Sequence, residues 1–325
     1  MTTYIIQRVL GMIPTWILIM FAVVSMTRFI PGDIVDLLLS EQGGVNAAGQ
    51  LAVDRAILEE RLGLNQPVHT QFFKYVVGVA RGDLGTSLWD QQEVTTLIQR
   101  RIPVTAEVAL IAIVTSVLIS IPLGVVAAVK RDTMLDYLLR SVSILGISIP
   151  GFAIGTAIII FPTIWWGITV SLRYRSFSED PLQHLQLIIP PAIVLGTELS
   201  AGVARLVRTQ MLEVLQEDYI RTARSKGVRE RVVIFKHALK NALIPVVTVL
   251  AFQVSALLGG SVVTETIFNL PGLGRLLVGS IASRDYPIIQ GIVVMTSVFV
   301  MITSLLVDIS YGLLDPRARL HGSAG

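Results

Sequence analysis

The chain has no cysteine in its 325 residues. That excludes disulfides and cysteine-ligated metal, and leaves the redox compartment open. Charge is scarce too. Asp, Glu, Lys and Arg make up 15% of the chain, against roughly 25% in soluble domains. The net charge of +3 is too small to argue for nucleic acid as a partner. Histidine is sparse: His69, His184, His237 and His321 are scattered, without the spacing of a metal site. They read as solvated or interfacial side chains. No G-x-x-x-x-G-K-[ST] phosphate loop is present, nor H-E-x-x-H, nor G-x-S-x-G. Nothing marks a catalytic centre, so the chain is not expected to be an enzyme.

Long apolar runs fill the space. Hydrophobic residues are 53% of the chain and mean hydropathy is +0.70. A helix needs about 20 apolar residues to cross a bilayer. Six runs qualify: Val9–Arg28, Ala106–Val129, Ser141–Ile164, Leu187–Val207, Ala242–Thr264 and Ile288–Tyr311. The first is too long for a signal peptide and lacks a small-x-small cleavage site, so it reads as a retained helix. The fourth carries Pro190, Pro191 and Glu198. Its freed backbone groups need neighbours, which places it inside a bundle. The expected fold is all-α, a polytopic membrane protein of six transmembrane helices. The expected organisation is an N-terminal helix over 1–30, an extracytoplasmic segment over 31–103 and a five-helix core over 104–325.

Lys and Arg set the orientation. Six spans put both termini on one side, together with Lys130–Arg140 and Arg208–Asn241. That side holds 14 Lys and Arg in 67 residues, the other 10 in 122. The richer side is expected to be cytoplasmic. Within the outer segment, Leu51–Leu62 has helical periodicity and Gly82–Ser87 reads as a turn. Intramembrane polar groups are functional candidates by default. Glu107 and Asp308 lie near span ends, where an interface or a basic neighbour would satisfy them. Glu198 and Gln253 lie deeper and are the candidates for a pathway, although a structural partner is the more common use of such groups.

The most distinctive connection is 212–241, helix-like, basic and interrupted at Gly227. Arg208–Lys240 holds eight Lys and Arg. Tyr219, Ala223 and Gly227 fall at i, i+4 and i+8 on one helix face, while Arg221, Arg224 and Lys226 project elsewhere. Small residues on a face permit close approach of another surface. Gly227 can take positive φ and stop the first helix. A second stretch, Glu230–Lys240, follows with Val232, Val233 and Phe235 as expected anchors. Two helices hinged at a glycine make a rigid knob.

This connection resembles the EAA loop of permease subunits in binding-protein-dependent ABC importers. In general form that loop reads E-A-A, three residues, Gly, nine residues, I-x-L-P. Aligned on Gly227, Arg221-Thr222-Ala223 matches only at Ala223, and His237-Ala238-Leu239-Lys240 only at Leu239. The departure is itself similar to the dipeptide, oligopeptide and nickel branch, with DYIRTARSKG and HALKNALIPV at these places. Pro31-Gly32-Asp33, Leu62-Gly63-Leu64, Gly82–Ser87, Glu265–Phe268, Pro271–Arg275, Arg284–Pro287 and Asp315-Pro316-Arg317 look like that branch too. The long first outer segment is similar to the B-type partner of its two unlike permeases.

The resemblance implies a permease for di- or oligopeptides, or alternatively for a nickel chelate, glutathione or another small solute. It implies a second permease, two ATPase subunits holding ATP and Mg, and an extracytoplasmic substrate-binding protein as partners, in a prokaryotic cytoplasmic membrane. This chain would bind no cofactor itself. Tyr219, Arg221, Thr222, Ala223, Arg224 and Gly227 would form the ATPase-coupling element. The segment Ile267–Gln290 would lie at the outer mouth. A stand-alone secondary carrier is the competing class; it should show paired broken helices or inverted repeats, and no clear pair is evident.

Overall fold

The computed structural model describes residues 2–26, 65–168, 172–258 and 261–314. The Leu51–Leu62 helix expected from periodicity lies outside the described residues. Among those described, helices account for all regular structure apart from one isolated bridge between Thr86 and Glu93. In chain order they are α1 (Thr2–Met26), α2 (Val68–Ala80), α3 (Val94–Val129), α4 (Met134–Ser148), α5 (Gly151–Trp166) and α6 (Pro181–Val214). There follow α7 (Asp218–Ser225), α8 (Glu230–Leu258), α9 (Val262–Ile267), α10 (Leu273–Ala282) and α11 (Tyr286–Leu314).

Five of these helices are long and apolar enough to cross a membrane; α4 and α5, bent by 82° at their junction, make a sixth span if counted together. The run expected to cross over Ser141–Ile164 is thus broken near its middle. Pro150 has no amide hydrogen to continue the ladder, and Ile149 before it takes extended backbone. The fifth span, expected over Ala242–Thr264, belongs to α8, which begins well before it, at Glu230.

The chain divides into two compact units. One comprises Met1–Arg8, Arg101–Leu276 and Phe299–Gly325, the other Val9–Arg100 and Leu277–Val298. In the first unit, α3 and α6 run side by side in the same direction. Small residues let them approach: a Cβ on Gly196 would lie 2.6 Å from the Ala112 carbonyl oxygen, and one on Gly124 2.7 Å from that of Ala204. Close backbone contact of this kind substitutes for the hydrophobic drive that lipid does not supply. At one end, Val104, Val108, Leu187, Ile188, Phe268 and Leu270 form a core. At the other, Val125, Val207, Met211, Val233 and Ile234 form a second core, which also takes in the α7 residue Ile220.

In the second unit the Gly82–Ser87 segment is the expected turn. Gly82 and Gly85 stand at φ +83° and +91°, and the Gly85 amide donates to Asp83 Oδ1 at 2.8 Å. The Ser87 hydroxyl donates to buried Asp285 at 2.5 Å, and the Leu88 amide to the same carboxylate at 3.2 Å. Two motif segments nearly two hundred residues apart in sequence are therefore halves of one structure.

Candidate functional site: a glycine-jointed helical knob

Helix α7 has eight residues, too few to be stable alone. It is held by its neighbours. Ile220 is fully buried among α6 and α8 side chains, a burial worth roughly 2 kcal/mol. Half-buried Ala223 packs on the same core. The Tyr219 hydroxyl accepts a hydrogen bond from Asn241 Nδ2 on α8 at 2.7 Å. Asp218 sits in the first turn, where the helix dipole favours an acid, and lies 3.3 Å from Arg221 Nη1.

Gly227 ends the helix at φ +75°. The Gly227 amide donates to the Arg224 carbonyl at 2.9 Å and the Val228 amide to that of Ala223 at 3.2 Å. This pair of bonds is a Schellman motif, which needs a residue in the left-handed region. Across the joint, Arg224 clasps Glu230 through Nη2 at 2.7 Å and Nε at 3.2 Å. The pair is exposed, so it orients the two helices more than it stabilises them.

Tyr219, Arg221, Thr222, Arg224 and Gly227 all lie on the exposed side, and a Cβ on Gly227 would meet nothing within 4 Å. Ala223 faces inward instead, against the core, so the face expected to hold Tyr219, Ala223 and Gly227 together is divided between the bundle and the outside. Of the three expected anchors of the second stretch, Val233 is buried, but Val232 and Phe235 are 38% and 61% exposed. The cause is a wide π-type turn over Val233–Ala238. It turns Val233, Ile234 and Ala238 inward and leaves Phe235 outside. Such turns concentrate at functional sites.

The two deeper polar candidates are not brought together by any hydrogen bond. Glu198 is exposed on α6 beside the break in the third span; a Cβ on Gly151 would collide with its carboxylate. Gln253 is half-buried with its Oε1 enclosed and unpartnered.

Sequence reasoning missed three polar clusters. His184 is not solvated: it is buried, with Nε2 2.9 Å from Glu107 and Nδ1 2.9 Å from the Arg175 carbonyl oxygen. Asp136 is buried and receives Arg208 Nε and Nη2, both at 2.9 Å, and Arg140 Nη2 at 3.2 Å. Buried Glu265 accepts from the Thr105 hydroxyl at 2.9 Å and from the Arg275 amide in the first turn of α10 at 3.0 Å. Burial pushes the Glu265 carboxyl above its ordinary range, against the pull of these donors and of Arg101.

These features define a multi-pass helical membrane protein with a short surface helix braced on its core. The model of the binding-protein-dependent transport system inner membrane component matches residues 120–320, and that of the corresponding N-terminal membrane component matches 1–109. The chain belongs to this family. It is the membrane-embedded permease subunit of an ABC importer and not itself an enzyme, and membership implies ATPase and substrate-binding partners. It is 39% identical to the glutathione transport system permease protein GsiC of Salmonella paratyphi A, over 98% of this chain and 99% of that one. The dipeptide transport system permease protein DppB of Escherichia coli K12 is also 39% identical, with the same coverage. Among solved structures, the MetNI methionine ABC transporter in an inward-facing conformation shares the fold, with a TM-score of 0.54 at 18% identity over 67% of this chain and 96% of that one.

Proposed function

We propose that the chain moves di- or oligopeptides across the cytoplasmic membrane, as one of two unlike permeases. Two ATPase subunits carry ATP and Mg, and an extracytoplasmic protein delivers the cargo. Both termini and α7 face the cytoplasm. Full-length similarity to DppB supports the peptide reading; equal similarity to GsiC keeps glutathione, itself a short peptide derivative, within the same class.

The observation that carries the coupling role is the two-sidedness of α7. Ile220 is locked in the core while Tyr219, Arg221, Thr222 and Arg224 stand outside. A partner pushing on the outer face moves α6 and α8 with it, because packed cores shift as bodies rather than deform. Glu198 and Gln253 are proposed to border the pathway, Glu198 at the bend in the third span.

The test is cysteine cross-linking from Thr222→Cys in the assembled importer. A link to the ATPase subunit that changes with nucleotide supports the role. Labelling of that cysteine by an impermeant reagent from outside intact cells would overturn it.

A further inference from the structure

Beside the Asp136 cluster, α3, α4 and α6 border a cavity of about 270 Å³, lined by Leu123, Ala127 and Leu139, by exposed Ile144, and by arginines. Arg140, Arg205 and Arg208 all border it. Asp136 is the only carboxylate paired with any of the three among the described residues. It takes Arg208 through two hydrogen bonds and Arg140 through one. The Arg140 Nε is enclosed without a hydrogen-bond partner. Arg205 is exposed and unpaired among the described residues. Three arginines thus border the pocket with one carboxylate, Asp136, bonded to them; Asp132 also acts on Arg208 but is itself paired with Arg131, so positive charge is in excess, and the remaining walls are mostly apolar. It lies near the Lys130–Thr133 turn, at the same end of the unit as α7, and opens past Ile144, which is 61% exposed.

We infer that this cavity is a binding site for an anionic phospholipid of the leaflet on the α7 side. The phosphate would sit between Arg140 and Arg205, filling the donors that Asp136 leaves free. The glycerol and first acyl carbons would lie on Leu123, Leu139 and Ile144. A soluble anion has no use for the apolar walls, and a neutral lipid leaves the excess charge unmatched. Basic pockets between helices at the cytoplasmic face are suited to acidic headgroups. Arginine is the residue of choice for phosphate, because its planar fork donates bidentately. Arg208 is the structural member: held on buried Asp136, it fixes the pocket's floor.

The leaflet rests on the orientation proposed above; the binding does not. In the test, the full chain is purified with its partner subunits and reconstituted with phosphatidylcholine alone or with equal parts phosphatidylcholine and phosphatidylglycerol. Retained lipid is read by native mass spectrometry, which is blind to leaflet. Wild type should keep phosphatidylglycerol in preference to phosphatidylcholine. Arg205→Gln should lower that retention about tenfold, the loss of one charge-assisted phosphate contact. Arg140→Gln with Arg205→Gln should abolish the preference, while the chain stays folded in phosphatidylcholine because Asp136 keeps both bonds from Arg208.

Equal retention by the double variant would overturn the site. Full displacement by inorganic phosphate would replace lipid with a soluble anion. A photo-cross-linker at Ile144 that captures protein rather than lipid would make the face a subunit interface. Inverted labelling of α7 would move the site to the other leaflet without touching the retention result.

Discussion

At the scale of the residue, glycines separate by what lies beyond the missing side chain. At Gly227 the space is open and the constraint is the backbone: φ +75° costs any other residue about 1 kcal/mol. Gly227→Ala should therefore fold and assemble with a mild loss of uptake. Gly227→Glu adds bulk and charge to the proposed contact face. It should leave expression near wild type while uptake and ATPase copurification fall together; unchanged values for both would refute a docking role. Gly272 is the opposite case. A Cβ there runs into the buried carboxylate of Glu265, which is held by two donors. Gly272→Ala should cost about 2 kcal/mol through overpacking, seen as a lowered melting temperature. Gly202→Ala, with nothing within 4 Å, serves as the control and should melt no lower than wild type.

At the scale of the element, α7 works only if its attachment is stiff. Ile220→Ala removes the buried side chain that seats it and should cost about 3 kcal/mol. Its uptake should fall further than its ATPase association, because the exposed face survives while the lever loosens. Equal losses in both would mean that α7 is only a surface patch. The α9–α10 connection has a signature in pH. The Glu265 carboxyl is raised by burial, so its contribution to stability is fully present below its unfolded value and lost as pH rises through the raised one. Wild type should lose melting temperature over that window relative to Glu265→Gln; the opposite slope would rule out burial as the dominant influence. The elements were unequally legible in the sequence. Gly227 was readable because helix stops are local chemistry, and the long spans because twenty apolar residues have few other uses. The π-type turn at Val233–Ala238 was hidden, since a single widened turn leaves no periodicity of its own. The partners of His184 and Asp136, Glu107 and Arg208, lie far away in sequence. Only folding makes them neighbours.

At the scale of the whole molecule, energy and recognition both enter from outside the chain. No phosphate loop occurs in the sequence, so the purified permease alone should hydrolyse ATP no faster than a mock preparation; turnover that follows this chain through every column would overthrow the division of labour. Recognition is proposed to bear on segment 31–103, expected to be extracytoplasmic. Its acidic excess, nine against six basic residues, gives it a charge that a delivering protein can match. In its described part, the Gly82–Ser87 turn and the start of α11 are tied through Asp285, and the Trp89 indole donates to the Ser283 carbonyl at 2.8 Å. That bracing leaves Asp90 exposed next to a fixed platform, the arrangement expected of a contact point, since a rigid surface loses little entropy on binding. A photo-cross-linker at Asp90 should therefore capture the substrate-binding protein in the assembled importer, and more of it when the cargo is present. Capture confined to the permeases themselves, in a complex that still transports, would leave the segment as a cap on its own bundle.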